Sequence, residues 1–399
     1  MKKLSIVSVV FLLLVGCGEK TAKGPAVFNV AEMTVDRSGQ QYAVVQIDKK
    51  LFADINESID TVVYICLSSK RPIGNIDKAA YNNGFYYILD KGQDCIHIFS
   101  EQGEYVKRIR NKGRAHNEYL AIGDFVLRPT KDELIVFDHM NCKLIAYDLA
   151  GNYKWNKMLD LDATGFQTIA DSAFVFATGS WQNAGTSMEK YTMAVMTEGS
   201  DSLKAAIPWL PVQVGYTGEK SFAESNRVLF RPLYSDTLYN INGDGTYGIA
   251  YHIDRAGGSA WEKDWDSKTF KILFHEDNCT KPWFYETDDF LKGYTSVGKT
   301  KDDRRMSMIL YNRKTGQTKL LRPQNIYEQA SMDKYEGSDW VGIREDGWFI
   351  NQIDPVWLLE KLEHEAIKSG RVKIPEPLQK VINQLKEDSN PALVLVKYK

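Results

Sequence analysis

The sequence predicts an all-β fold, a six-bladed β-propeller, from three observations. A turn glycine recurs at nearly constant spacing: Gly103, Gly151 and Gly199 stand 48 residues apart, Gly245 follows after 46 and Gly316 after 71. Period-2 alternation with Gly or Asp turns accompanies these glycines, a pattern of repeated four-stranded units that a single sandwich would not produce at constant intervals. Aromatic side chains make up 12% of the residues, a composition that favours strands.

The elements follow in chain order. Residues 1–16 read as a secretory signal, with Lys2 and Lys3 as its charged start. The apolar run from Leu4 to Val15 is shorter than the ~20 residues that span a bilayer. Leu14-Val15-Gly16-Cys17 resembles the bacterial lipobox, where a small residue precedes a cysteine that is lipidated on sulfur. Cys17 is therefore the expected lipidation site. By the same resemblance, Gly18 after it favours the outer membrane, with the protein facing the periplasm or the exterior. Residues 17–26 form a small, polar tether and residues 27–399 the propeller.

Within the propeller, residues 87–109 and 135–159 read as successive copies of one unit. Each has a hydrophobic strand ending in Asp (Asp90, Asp138), a polar turn, an alternating strand, a Gly turn and another alternating strand. Near the C-terminus, residues 347–353 supply one strand and ALVLVKYK (392–399) another. A helical insertion at about 355–388 separates them, with Val356, Leu359 and Leu362 on one apolar face and Leu378, Ile382 and Leu385 on a second. The terminal strand has no sequence neighbour to pair with. N-terminal strands near 42–48 and 61–67 are therefore expected to complete the last blade and close the ring.

Composition excludes several classes of function. The 50 basic and 52 acidic residues are balanced, and removing the signal takes away Lys2 and Lys3, leaving a formal −4. No basic cluster points to nucleic acid. Beyond Cys17, the four cysteines Cys66, Cys95, Cys142 and Cys279 show no CxxC spacing and are expected to be unpaired. GDGTYG (243–248) matches a dinucleotide glycine pattern but leads into a strand, not a helix. NINGDG (240–245) begins like a calcium loop, yet Tyr251 stands where the closing Glu belongs. No cofactor or metal is expected.

Three segments carry a family resemblance. KGRAHNEY (112–119) is similar to a GRGPGEY loop, and DTLY (236–239) and NPALVLVKYK (390–399) complete the set. On these the chain resembles the six-bladed β-propeller lipoproteins of Bacteroidetes, themselves similar to NHL-repeat propellers. Ala115, His116 and Asn117 replace the middle of the family loop. The resemblance implies a propeller fold and an envelope address, and it carries no general biochemical activity.

Propeller geometry places the crossover 111–122 at the channel mouth, so Arg114, His116, Glu118 and Tyr119 are candidate ligand-binding or catalytic residues. Arg suits a carboxylate or phosphate, His and Glu can exchange protons, and Tyr can stack. The competing reading is structural, an Arg114–Glu118 pair that pins the crossover. His139, in a turn on the same face, and Arg227 are further candidates. Trp209, Trp261, Trp265, Trp283 and Trp340 fall in segments read as long loops, where they would form an aromatic platform or pack the loops against the blades. The function expected is a lipid-anchored, noncatalytic binding or scaffold protein of the cell envelope with a glycan, peptide or protein partner. The alternative is a propeller hydrolase or lyase acting at the channel mouth.

Overall fold

The structure is a computed structural model and describes residues 30–36, 42–178, 183–200, 202–208, 221–232, 235–255, 280–297, 305–321 and 339–399. Five strands lie in the N-terminal segment: β1 (Val30–Glu32), β2 (Thr34–Val35), β3 (Ala43–Ile47), β4 (Phe52–Ala53) and β5 (Ile59–Cys66). Blade 1 comprises β6 (Lys78–Asn82), β7 (Phe85–Asp90), β8 (Cys95–Ser100) and β9 (Tyr105–Ile109). Blade 2 comprises β10 (Ile122–Arg128), β11 (Glu133–Asp138), β12 (Lys143–Tyr147) and β13 (Tyr153–Met158). Blade 3 has β14 (Ala163–Ile169), β15 (Ala173–Thr178), β16 (Tyr191–Thr197) and β17 (Leu203–Pro208).

Blade 4 has β18 (Leu229–Phe230), β19 (Thr237–Ile241) and β20 (Thr246–Arg255). Its innermost position is taken by residues 221–224, where Ala223 N–H donates to Leu229 O and Arg231 N–H to Ser221 O. Blade 5 has β21 (Thr280–Glu286), β22 (Phe290–Val297), β23 (Arg305–Asn312) and β24 (Thr318–Leu321). Blade 6 has β25 (Asp339–Ile343), β26 (Phe349–Ile353) and β27 (Ala392–Tyr398), with β5 as its outermost strand. The molecule is a six-bladed β-propeller, as the repeats predict.

The strands form because both faces of each sheet are covered. On β7, Tyr86 and Ile88 pack toward blade 6 while Tyr87 and Leu89 pack toward blade 2. On β11, Leu134 and Val136 face blade 1 while Ile135 and Phe137 face blade 3. This two-sided burial explains why the second strands read as unbroken apolar runs (YYIL, LIVF), and it corrects the alternation expected of the third strands, β8 and β12, which are buried on both faces. Burial is thereby divided into six clusters, one at each blade junction.

The five repeat glycines occupy one position, the turn between the third and fourth strands, and all have positive φ: Gly103, Gly151, Gly199, Gly245 and Gly316. At Gly103 the requirement is double. Its φ is +86°, and a Cβ would lie 2.2 Å from Cys66 O on the outermost strand of blade 6. Left-handed backbone and close approach to a neighbouring blade both call for glycine there.

Ring closure differs from the sequence expectation in one strand. β5 pairs antiparallel with the terminal β27, as expected for 61–67. The segment around 42–48 does not join that blade: β3 runs parallel to β20 on blade 4. It belongs to a belt in which β1 pairs parallel with β17, β2 and β3 with β20, and β4 with β24. The chain thus follows the outer edges of blades 3, 4 and 5 before entering blade 6, and protects those edges from pairing elsewhere.

The helical insertion is present as Pro355–Leu362, Glu365–Lys368 and Glu376–Ile382, between β26 and β27. Its first buried face is not the expected one. Leu358 is buried against blade 6, while Val356 is exposed, because the Asp354 cap and Pro355 start the helix in a phase that turns residue 356 outward. Leu378 and Leu385 are buried as expected, with Val381 between them. Among the described residues no helix is long and apolar enough to cross a membrane.

Candidate functional site

The crossover from blade 1 to blade 2 is held by its own backbone and by three side chains. Tyr119 is fully buried, its hydroxyl donating to Asp94 O at 2.9 Å and accepting from Asn111 N–H at 3.1 Å. Burial raises its phenol well above the ordinary range. Asp138, at the end of β11, accepts from the N–H groups of Leu120 (2.9 Å) and Met140 (3.2 Å) and from the Asn141 amide (2.7 Å). Asp90 does the same one blade earlier, accepting from Gly74 N–H at 2.6 Å and Gln93 N–H at 2.9 Å. The two repeat aspartates therefore tie each incoming crossover to the turn of its own blade.

Of the remaining crossover candidates, Arg114 and His116 are exposed and Glu118 is half-buried. Glu118 folds back to accept from Ala115 N–H at 2.8 Å and lies over Gly113, where a Cβ would meet its carboxylate. Lys143 donates to Glu118 O, and Tyr147 donates to Asn117 O. His116 is exposed and sits edge-on to Tyr153, on the outermost strand of blade 2, with ring centroids 5.5 Å apart. Arg114 is exposed and makes no ion pair with Glu118. This corrects the expectation of a channel-mouth site: the segment 111–119 packs in the seam between blades 1 and 2. The pinning is real, but Tyr119, Asp94 and Asp138 do it.

His139 and Arg227 do not converge with that loop. His139 is exposed in the turn after β11, near Asp162, whose carboxyl is raised by burial while the imidazole opposes the rise. Arg227 follows the inner segment of blade 4 and grips Glu286 of blade 5, with Nε–O at 3.0 Å and Nη2–O at 2.7 Å. Ser225, Tyr251 and Arg313 also reach this carboxylate. Burial alone would raise Glu286, but the Arg227 contacts more than offset it and hold the carboxyl below its usual range. Arg128 makes a similar clasp between blades 2 and 3, onto Glu133, Asp171 and Glu198. Arg344 does so between blades 6 and 1, onto Tyr86 and Glu101.

The channel itself holds a cavity of about 390 Å³, open among the turns that join first to second strands. Inner strands of blades 1, 2, 3 and 6 and residues 224–226 of blade 4 line it. Beside the buried Arg128 it holds the buried cation Lys78, which spans from blade 1 to Asp124 of blade 2 (3.1 Å) and Glu224 of blade 4 (3.4 Å). Burial would lower this ammonium, yet the two carboxylates hold it above its ordinary range. Gln167, Thr168 and Asn226 also line the cavity, and their side chains make no hydrogen bond among the described residues. Sequence reasoning missed all of these residues. They lie in the first strands and, in blade 4, in the inner segment and the turn after it, whose short, mixed sequences carry no repeat signal of their own. The crossover 111–122 enters β10 at Ile122, whereas the cavity is lined from Phe125 onward along that strand and past Arg128 at its other end.

The aromatic candidates separate. Trp340 is buried on β25 in contact with Lys292, Tyr285 and Phe349, and Trp283 is exposed on β21, so both belong to innermost strands and not to loops. Trp209, Trp261, Trp265 and the lipidation candidate Cys17 lie outside the described residues, as does Cys279. Cys66, Cys95 and Cys142 are unpaired. Among the described residues no group of His, Cys, Asp and Glu side chains is placed to hold a metal ion.

The profile of DUF4934, a domain of unknown function, matches residues 53–397. The chain belongs to the DUF4934 family. Its fold is similar to the crystal structure of a candidate exported protein of Bacteroides fragilis NCTC 9343, with a TM-score of 0.71 at 16% identity, covering 90% of this chain and 100% of that one. It is also similar to a DUF4221 family member from Bacteroides vulgatus ATCC 8482, with a TM-score of 0.52 at 11% identity, covering 86% and 97%. No curated protein matches the sequence. At these identities the solved structures speak for the fold of this DUF4934 chain alone. Its belt strands β1 to β3 and part of β4 precede the matched residues.

Proposed function

We propose that this DUF4934 protein is an exported, lipid-anchored, noncatalytic binding propeller of the cell envelope, presenting its channel cavity to a glycan, peptide or protein partner. The observation that carries this reading is the separation of the acid–base candidates. His116 lies in the crossover and packs against an outermost strand, His139 lies in a turn, and Arg227 is in a clasp with Glu286, while Lys78 and Arg128 at the cavity are both held in ion pairs. General acid–base catalysis requires such groups within hydrogen-bond reach of one reacting centre. A binding site requires only a shaped cavity with convergent polar groups.

The export reading is supported by the charged start, the apolar run and the lipobox-like Cys17, and by the likeness to the candidate exported protein of Bacteroides fragilis. Cys17→Ser should abolish incorporation of labelled fatty acid and move the protein from the membrane to the soluble fraction. Unchanged membrane retention would remove the anchor from the proposal. For binding, the mature protein is screened by thermal shift against envelope and dietary glycans, peptides and envelope proteins, since any ligand that prefers the native state raises Tm. A folded protein that responds to none of them refutes the binding reading.

A further inference from the structure

We infer that the channel cavity binds a small, neutral, hydroxyl-rich ligand, a carbohydrate, through Gln167, Thr168 and Asn226. The inference rests on the binding reading above and names its site and ligand class. Gln167 and Thr168, consecutive on β14 of blade 3 and so on its two faces, and Asn226 in the turn of blade 4 all border one space of about 390 Å³. Each of these groups both donates and accepts hydrogen bonds, and none of the three side chains is engaged among the described residues. Vicinal hydroxyls, which likewise donate and accept, match such a set.

Charge excludes the other ligand classes. Lys78 already faces two carboxylates, Asp124 and Glu224. Arg128, with a side chain only 2% exposed, is occupied by Glu133, Asp171 and Glu198. The rim adds the carboxylate of Glu345. Among the described residues, an anionic ligand would therefore meet a surplus of negative charge and no cation that is not already paired. Apolar recognition is also poorly served. Phe125 is fully buried beneath the wall, and the Tyr81 ring is covered by the Arg344 guanidinium at 4.0 Å. The accessible apolar lining among the described residues, Ala80, Leu127, Pro129 and Ile343, is spread thinly over blades 1, 2 and 6, which suits the faces of a sugar ring better than one large peptide side chain.

The test uses the mature protein, a panel of neutral mono- and disaccharides, the matching uronic acids, and a set of unrelated peptides. Binding is read by calorimetry, with Gln167→Ala, Asn226→Ala and, as a control in the seam between blades 1 and 2, Arg114→Ala. A neutral sugar should bind saturably while its uronate binds at least tenfold more weakly. Each cavity variant should lose about 5-fold or more in affinity with its own unfolding temperature unchanged, and Arg114→Ala should bind as the wild type does. A sugar that binds equally well to all variants, or a preference for uronates or peptides, overturns the inference but leaves the protein a binder. Silence across the whole panel from folded protein overturns both.

Discussion

Single residues in this ring act mainly through backbone geometry and burial, and two of them make sharp predictions. Gly103→Ala places a Cβ against Cys66 O in a left-handed conformation that costs an L residue ~1–2 kcal/mol before any clash. The variant should lose at least about 2 kcal/mol of stability in urea unfolding, more than Gly185→Ala, which has positive φ but open space around it. His97 is fully buried beside Cys95, with Nε2 at 3.2 Å from Sγ, and burial lowers its pKa to about 4. The folded protein therefore keeps the ring neutral, while the unfolded chain takes up a proton below its ordinary pKa near 6.5. Stability contributed by neutral His97 is present above pH 6.5 and is lost as pH falls from 6.5 toward 4, by up to ~3 kcal/mol. Denaturant midpoints measured across that window should fall for the wild type and flatten for His97→Gln. At this scale the sequence showed which residues repeat but not what they do. Asp90 and Asp138 stood out by position, yet their role as acceptors for incoming crossovers depends on which turn lies beside which loop.

Whole strands were easier to read than their neighbours were. The runs around β7 and β11 are long, apolar and bounded by turn residues, so local pattern and burial agree. The belt was not legible because parallel pairing joins segments about 170 to 270 residues apart and leaves no spacing rule in the sequence. The candidate site was misplaced for a related reason. Crossover 111–119 is conspicuous, but whether it points to the axis or into a seam is decided by Tyr119 and Tyr153 on either side of it. Gln167, Thr168 and Asn226 become one site only when blades 3 and 4 stand side by side. The belt can be tested by its own alternation. Val45 is fully buried at the junction of blades 4 and 5, while Val44 beside it is 41% exposed. Val45→Ala should cost ~2 kcal/mol in chemical denaturation and Val44→Ala less than ~0.5 kcal/mol, provided β3 adds to β20 as the fifth strand of blade 4. Equal effects would mean that the segment is not docked there.

The whole ring depends on one non-covalent seam, where the two ends of the chain meet. β27 lies between β26 and β5, so the C-terminal strand joins an N-terminal strand to the rest of blade 6. Asn390, just before it, is buried and reaches across to the crossover into blade 1, accepting from Ile73 N–H at 2.8 Å and donating to Ser68 O and Arg71 O. Leu393 and Leu395 belong to the cluster between blades 6 and 1, while Val394 and Val396 belong to that between blades 5 and 6. Removing residues 392–399 would thus open two of the six junction clusters and leave both β26 and β5 with bare edges. Two consequences are expected. Thermal unfolding of the truncated chain should begin far below that of the full chain and lose its single cooperative step, because a ring opened at one seam no longer shares load around its circumference. The synthetic peptide NPALVLVKYK, supplied in excess, should restore much of the loss by strand addition, since the gap it fills is lined on both sides by strands already in register. A scrambled peptide of the same composition should do nothing. If the truncated protein unfolds like the full chain, closure by β27 is not what holds the ring, and the six junctions must be stable one by one.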